Sequence, residues 1–358
     1  MADQPTDHTT DHVTDTGTDP GARLALLQMI FGFFPAKAVN VAAELGLADH
    51  VAAGPRRIDD LASTTGCDPG SLRRLLRALA FLGVLSEPEP GLFGLGPLGG
   101  PLRTTASGSV RSLSLLFGGD MVWRSWGDLA GSVRTGDIAF DDVFGMSAFE
   151  YMAANPDVAE MFNQAMSEGT RMVTPGIVDA YDFAQFTTVA DLGGNDGTLL
   201  AAVLAANPGL HGILFDVPAG SREAKRVLEA AGVQDRCELV VGDFFEAVPR
   251  GVDCFMLKSV IHDWDDHRSG SILANCRRAI DAEGRLLIVE GILPPRAEQI
   301  PALSGLVMSD LNMLVCAGGR ERTEDDFRSL LADSGFELIR VTPIEGPTNY
   351  CIIESVPV

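Results

Sequence analysis

The sequence predicts an α/β chain in two unlike parts. A mainly helical, winged-helix-like front half precedes a C-terminal, mostly parallel sheet with one antiparallel strand and helices on both faces. Three observations carry this. After Asp182, short apolar runs alternate with amphipathic stretches, the pattern of parallel strands joined by helices. Before that, apolar residues recur at three- and four-residue spacings and lead into a turn-rich pair around Pro88 and Gly91. The last two runs, FELIRVTPI and NYCIIESV, are separated by only a short turn, so one of them should run antiparallel.

At 358 residues, 46% hydrophobic and 21% charged, the chain can hold two domains and a substantial core without disulfide or metal support. Cys67, Cys237, Cys254, Cys276, Cys316 and Cys351 are scattered, with no C-x-x-C pair and no histidine at ligand spacing; reduced thiols are expected, and no metal centre. A net charge of −22 repels polyanions, which argues against nucleic acid as the main partner. No apolar run reads as approaching the roughly 20 residues a bilayer requires, and the acidic N-terminus does not resemble a secretion signal. A cytoplasmic protein without membrane contact is the expectation.

The elements follow in order. Residues 1–20 place Asp at 3, 7, 11, 15 and 19, which would stack like charges on a helix with little to bury; a disordered acidic tail is expected. Residues 22–53 keep helical spacing around a kink expected at Pro35 and are apolar on more than one face, so they need cover from their own domain or from a second chain. Residues 58–65 suit a short helix and 66–70 a turn. Ser71 is then expected to N-cap a helix whose Leu72, Leu75, Leu76 and Leu79 share one face. With the hairpin around Pro88 and Gly91 this outlines a winged helix, whose Arg73, Arg74 and Arg77 either touch phosphates or form a solvated face. A ligand-sensing DNA-binding protein is therefore the competing class. Residues 106–182 read as several helices; in the clearest, Met161, Phe162, Ala165 and Met166 form a stripe that suits core packing as well as a pocket. Seven strands are expected, at TVADLGG, HGILFDVP, CELVVGDFF, DCFMLKSVI, GRLLIVEGIL and the two final runs.

Ligands of such sheets bind beyond the carboxyl ends of the strands. There the first strand runs into DLGGNDG, residues 191–197, whose glycines allow close backbone approach ahead of a helix. The second ends at Asp216, 25 residues after Asp191, an acceptor-only carboxylate suited to the paired hydroxyls of a ribose. The third ends at Asp243 beside Phe244 and Phe245, an acceptor next to an aromatic face, as an adenine would use. One such aspartate could be a turn residue. Three at successive strand ends point to a nucleoside, and because the glycines complete neither a phosphate loop nor G-x-G-x-x-G, to one without phosphates. The fourth strand leads into LKSVIHDWDD, residues 257–266, which sets His262 between an apolar run and an acidic turn.

Taken in order, DLGGNDG, LFDVP, GDFFE, LKSVIHDWDD, LLIVEGILP and GGRERTEDDF resemble the S-adenosylmethionine-dependent small-molecule O-methyltransferases that act on plant phenolics and bacterial aromatic polyketides, over about residues 22–358. The resemblance implies a Rossmann-like class I methyltransferase sheet over residues 183–358 that binds S-adenosylmethionine. It also implies a winged-helix-like dimerisation domain at 21–105, hence a homodimer, and a helical connector at 106–182 that contributes to the substrate pocket. By it, Gly193 and the loop of Asp191, Gly194 and Asn195 hold the methionine portion, Asp216 with Val217 the ribose, and Asp243 with Gly242, Phe244 and Phe245 the adenine. Lys258 and Ser259 fall in the adenine or ribose region. The similarity moves Met161, Phe162, Met166, Met308, Asn312 and Met313 toward the pocket lining. Trp264 belongs with them as a candidate, although Asp263 and Trp264 also read as turn and packing residues. The loop departs from the family's G-x-G-x-G, with Asn195 at the middle glycine; Asn tolerates positive φ better than other residues. Asp196 beside it could pair with the methionine ammonium.

His262 past the fourth strand and Glu290 at the end of the fifth should meet at the ligand edge. A phenol attacks poorly until deprotonated, and an imidazole of about 6.5 is a competent base near neutral pH. Glu290, with Glu321 from GGRERT, would hold its tautomer; all three match the family's catalytic positions. Methylation of a hydroxyl on a small aromatic metabolite, without a metal, is the activity implied. Some relatives that decarboxylate or hydroxylate instead supply the other enzymatic alternative.

Overall fold

The computed structural model describes residues 19–296, 305–346 and 349–358. The acidic segment lies outside them as far as residue 18, but its last two residues are not tail. Asp19 accepts the Gly21 and Ala22 N–H groups at 3.1 and 3.3 Å and starts α1 (Pro20–Ile30). The chain breaks at Phe31 and Gly32 before α2 (Phe33–Glu44). Pro35 falls in the first turn of α2, where its missing N–H leaves no bond unmade, so the kink expected there is displaced to Gly32.

A compact front module follows: α3 (Leu47–His50), β1 (Arg56–Arg57), α4 (Ile58–Thr65), α5 (Pro69–Phe81) and the hairpin β2 (Leu85–Glu89) and β3 (Leu92–Leu95), with sheet order β1-β3-β2. The N-cap of α5 is Asp68, not Ser71. Pro69 begins the helix, which leaves Asp68 extended with its carboxylate accepting the Ser71 N–H at 2.8 Å. Leu72, Leu76 and Leu79 are buried, and Arg73, Arg74 and Arg77 point to solvent.

No residue of α1 is buried, and Met29, Leu24, Phe34 and Phe33 are 76%, 59%, 55% and 52% exposed. Pro20–Glu44 is also long and apolar enough by composition to cross a membrane, which corrects the expectation that no run approaches that length.

The connector is helical throughout: α6 (Arg111–Gly118), α7 (Asp120–Gly127), α8 (Leu129–Thr135), α9 (Ala139–Phe144), α10 (Ala148–Ala154) and the long α11 (Pro156–Ala180). Buried Glu168 of α11 accepts the Ser112 and Leu113 N–H groups at 3.1 and 3.0 Å, satisfying the open end of α6.

The back half alternates β4 (Thr188–Leu192), α12 (Thr198–Ala206), β5 (His211–Asp216), α13 (Ala224–Ala230), β6 (Cys237–Val241), β7 (Cys254–Lys258), α14 (Asp266–Ala279), β8 (Arg285–Leu293), α15 (Leu306–Cys316), β9 (Arg322–Thr323), α16 (Glu324–Asp333), β10 (Phe336–Pro343) and β11 (Tyr350–Pro357). The main sheet runs β10-β11-β8-β7-β4-β5-β6, with β11 reversed, so that it is antiparallel to both β10 and β8 while the other pairs of this order are parallel. Both faces are covered. Leu257, Ile272, Leu286 and Phe327 pack one layer and Val189, Leu200, Leu204 and Leu287 the other. Each such side chain contributes about 1.5–3 kcal/mol on burial. The chain lays down β4, β5 and β6 toward one edge, then returns to place β7 and β8 on the other side of β4. The direction of winding therefore reverses between β4 and β7, which opens a crevice at their carboxyl ends.

Candidate active site

The crevice is built from the glycine loop after β4. Gly193 turns with φ 72° and donates its N–H to the Phe215 carbonyl at 2.8 Å, which ties the loop to β5. Asn195 holds φ 51°, as its residue type permits, and its N–H donates to Asp216 Oδ2 at 2.8 Å; Oδ1 of Asp216 accepts the Val217 N–H at 2.7 Å. Each oxygen of Asp216 thus keeps a lone pair for a hydroxyl. Gly242 donates its N–H to the Asp216 carbonyl at 3.1 Å, and an added Cβ there would press on the Phe215 ring. Past it, Asp243 Oδ1 accepts the Phe245 N–H at 2.8 Å, and the Phe244 ring edge lies beside Gly193.

The lining is rich in acceptors. Asp191 Oδ2 and Asn195 Oδ1 are buried without a hydrogen-bond partner among the described residues. Burial pushes the Asp191 carboxyl up to about 7, with Lys258 opposing and Asp216 and Asp196 adding to the rise. Such a donor-poor surface suits a ligand that brings hydroxyls, N–H groups and positive charge, and disfavours a phosphate. Asp196, expected to be free for an ammonium, sits 3.5 Å from the Arg171 guanidinium instead. Burial lowers Lys258, whose ammonium donates to Ser259 Oγ at 3.1 Å. Ser259 takes φ 54° and is pinned by the Tyr350 hydroxyl at 2.8 Å.

His262 stands on the tight turn Ile261–Asp263 directly after β7. Its Nδ1 lies 3.0 Å from Glu321 Oε1; a carboxylate only accepts, so Nδ1 carries a proton and the proton the imidazole can exchange is the one on Nε2, which lies 3.6 Å from Asp263 Oδ1. Glu290 does not touch the imidazole. Its Oε1 accepts three backbone N–H groups, from Val260, Ile261 and His262 at 3.0, 2.7 and 3.2 Å, and so holds the turn rather than the tautomer. Nor does Glu290 end its strand: β8 continues to Leu293, where Ile292 pairs with Arg322 of β9, and this pairing brings Glu321 under His262.

The GGRER stretch is shaped around the turn. A Cβ on Gly319 would lie 2.0 Å from the His262 carbonyl oxygen, which accepts the Arg320 N–H at 2.9 Å. Arg322, fully buried, donates to the Ile261 and Trp264 carbonyls, each at 3.0 Å, and to Asp266 Oδ1. Ser309 Oγ donates to Glu321 Oε1 at 2.7 Å and Asp310 Oδ1 accepts the Glu321 N–H at 2.9 Å. Arg322, Ser309, Asp310 and Tyr350 escaped the sequence reading; an arginine in so charged a run gives no signal of burial, whereas Ser309 and Asp310 share α15 with residues that were singled out.

The imidazole is not the near-neutral base expected. Burial disfavours its charge, but Asp263 with Oδ1 3.6 Å from Nε2, the bond to Glu321 and the nearby Glu290 outweigh it and push His262 up to about 10. Burial raises both Asp263 and Glu290.

The expected substrate residues divide. Met161, Phe162 and Met166 of α11 are half-buried and pack in one cluster with Val315 and Cys316 of α15. Met313 is buried, and Asn312 accepts the Trp126 indole N–H at 2.9 Å. Met308 is 57% exposed. Trp264 is taken up by packing instead of facing the crevice: Phe149 stacks on it at 4.8 Å, Phe245 meets it edge-on at 4.9 Å, and the Arg268 guanidinium lies over its ring. Phe245 and Phe244 join the same cluster, Phe244 edge-on to Phe245 at 5.0 Å and to Trp264 at 6.4 Å, and of the two it is the Phe244 ring that reaches the glycine loop.

Comparisons with known proteins bear on what such a crevice holds. A model of the O-methyltransferase domain matches residues 126–337, and one of the O-methyltransferase dimerisation domain matches 27–102. Phenazine O-methyltransferase of Lysobacter antibioticus is 45% identical over 93% of this chain and 96% of its own length; O-demethylpuromycin O-methyltransferase of Streptomyces alboniger is 42% identical over 94% and 90%. Among solved structures, the O-methyltransferase of neocarzinostatin biosynthesis in complex with S-adenosylmethionine and 2-hydroxy-5-methyl naphthoic acid superposes with a TM-score of 0.77, at 33% identity over 90% of this chain and 96% of that one. The dimerisation match covers the winged helix. The chain belongs to the S-adenosylmethionine-dependent O-methyltransferases.

Proposed function

We propose that this enzyme methylates a hydroxyl of a small aromatic metabolite of phenolic or polyketide type, with His262 as the general base. The observation that carries the reading is His262 on the turn after β7, its Nδ1 held 3.0 Å from Glu321 and its Nε2 as the nitrogen that exchanges a proton. Relatives named for phenazine, naphthoate and aminohydroxybenzoate acceptors support an aromatic one.

When bound, S-adenosylmethionine supplies a methyl group already made electrophilic by its sulfonium, so the protein has to align, exclude water and take one proton. Asp216 would hold the ribose hydroxyls, Asp243 and Phe244 the adenine, and the loop from Asp191 to Asn195 the methionine end. Met161, Phe162, Met166, Asn312 and Met313 would form the acceptor's wall. Glu321 fixes the Nδ1 proton so that Nε2 receives the phenolic one. An imidazole held near 10 is mostly protonated at neutral pH, so the reacting fraction is the one that has released its Nε2 proton, and transfer to it from a phenol of about 10 is nearly balanced. Glu290 and Arg322 hold the turn beneath it. The exposed faces of α1 and α2 pair two chains into a homodimer, and the enzyme works in the cytoplasm.

Incubation with methyl-labelled S-adenosylmethionine and a panel of hydroxylated phenazines, naphthoates and aminobenzoates tests the reading. A labelled methyl ether is expected. An unlabelled decarboxylated or hydroxylated product, or label on nitrogen alone, would replace it.

A further inference from the structure

Helix α11 carries a second stripe beside its methionines. Asn163, Ser167 and Arg171 recur at four-residue spacing, so they lie on one face, and all three reach the cofactor loops. The Asn195 side-chain N–H group donates to the Asn163 carbonyl at 2.9 Å and to Ser167 Oγ at 3.3 Å. Asn163 Nδ2 donates to the Ala219 carbonyl at 2.8 Å, in the loop after Asp216. Arg171 pairs with Asp196 at 3.5 Å. One helix is thereby stitched to the loop after β4 and to the loop after β5, while its adjoining face supplies Met161, Phe162 and Met166 to the cluster shared with α15.

The centre of the stitching is the residue that departs from the glycine pattern. Asn195 spends its backbone N–H on Asp216 and its side-chain amide on α11, so one residue touches the ribose acid and the acceptor helix together. A glycine there would make the first bond and not the second. We infer that Asn195 is a positioning residue that transmits cofactor binding to the acceptor wall: filling the site fixes the glycine loop, and through Asn195, Asn163 and Ser167 fixes α11. The inference rests on the proposed placement of the cofactor at Asp216 and the glycine loop. Coupling of this kind is reciprocal, so the same tie makes the acceptor bind better to the cofactor-loaded enzyme.

Hydrogen exchange of the full-length protein, with S-adenosylhomocysteine as the probe, tests it without turnover. In the wild type, saturation should slow exchange of the α11 amides from 163 to 171 by at least about fivefold. In Asn195→Gly, which adopts the same φ without strain, that slowing should fall below about twofold while calorimetry still shows the probe bound. Asn195→Asp keeps the size but sets an acceptor against the Asn163 carbonyl and should behave the same way; Asn195→His, able to donate again, should restore part of the effect. Equal protection of α11 in the wild type and both disrupting variants would overturn the inference. Absence of S-adenosylhomocysteine binding to the wild type would instead overturn the placement of the cofactor. Should Asn195→Gly fail to fold, Asn195→Asp alone reads the same coupling, since it loses the donor to both Asn163 and Ser167.

Discussion

Replacing Asp263 with Asn should make the proposed base weaker and the enzyme more active at low pH. Asp263 Oδ1 lies 3.6 Å from the nitrogen that is to receive the substrate proton, and Asp263 is foremost among the groups that raise the imidazole. At an effective dielectric near 20, unit charges about 4 Å apart interact by about 4 kcal/mol, or about three pKa units. The carboxylate side chain is 25% exposed, and screening reduces the change to about one or two units. His262 should therefore fall from about 10 toward 8 or 9. Two readouts follow it: an NMR titration of isotope-labelled histidine in the free enzyme, and the acid limb of kcat/KM for one acceptor. Both should move to lower pH by the same amount, with faster turnover at pH 7 than the wild type. The stability curve has a definite sign as well. A histidine raised above its unfolded value of about 6.5 adds stability that is complete below that pH and is lost as pH climbs through about 10; in Asp263→Asn the loss should finish one to two units earlier. An acid limb that stays in place, or moves upward, would refute the electrostatic argument.

Other perturbations separate the parts of the site. Asp216→Ala should weaken S-adenosylhomocysteine binding about 10- to 100-fold by calorimetry, because hydrogen bonds to a charged group contribute about 1.5–3 kcal/mol; unchanged affinity would move the ribose elsewhere. Arg322→Met should cost about 2–4 kcal/mol in urea unfolding, since the Ile261 and Trp264 carbonyls lose their charged donor and keep only the Ser269 hydroxyl; a midpoint equal to the wild type would show the turn holds without it. Phe33→Glu combined with Phe34→Glu should convert the proposed homodimer to monomer in sedimentation, as both rings are about half exposed on the α1–α2 face; a persistent dimer would place the interface elsewhere.

Much of this was legible in the residues because the physics that makes it is local. The seven long strands announce themselves as apolar runs with turn residues between, and the acids at their ends fall where open α/β sheets bind ligands. What escaped depends on contacts distant in sequence. β9 is two residues long and exists only because β8 extends beyond Glu290 to meet it. Glu290 looked like a partner for the imidazole, since a strand-end acid beside a histidine suggests side-chain pairing; which N–H groups it accepts is decided by how the chain turns after β7. Arg322 sits in a run of charges that reads as solvated, and it is buried because three residues of the turn after β7 and the start of α14 present acceptors to it. The basicity of His262 was misjudged for the same reason: an isolated imidazole titrates near 6.5, whereas this one has acids on both sides.

Single-turnover methyl transfer by His262→Gln, measured alongside its affinity for S-adenosylhomocysteine, bears most directly on what the imidazole does. Loss of a general base predicts a rate lowered by about 100-fold or more with cofactor affinity unchanged. A rate close to that of the wild type, or a fall in rate matched by an equal fall in cofactor binding, would contradict it.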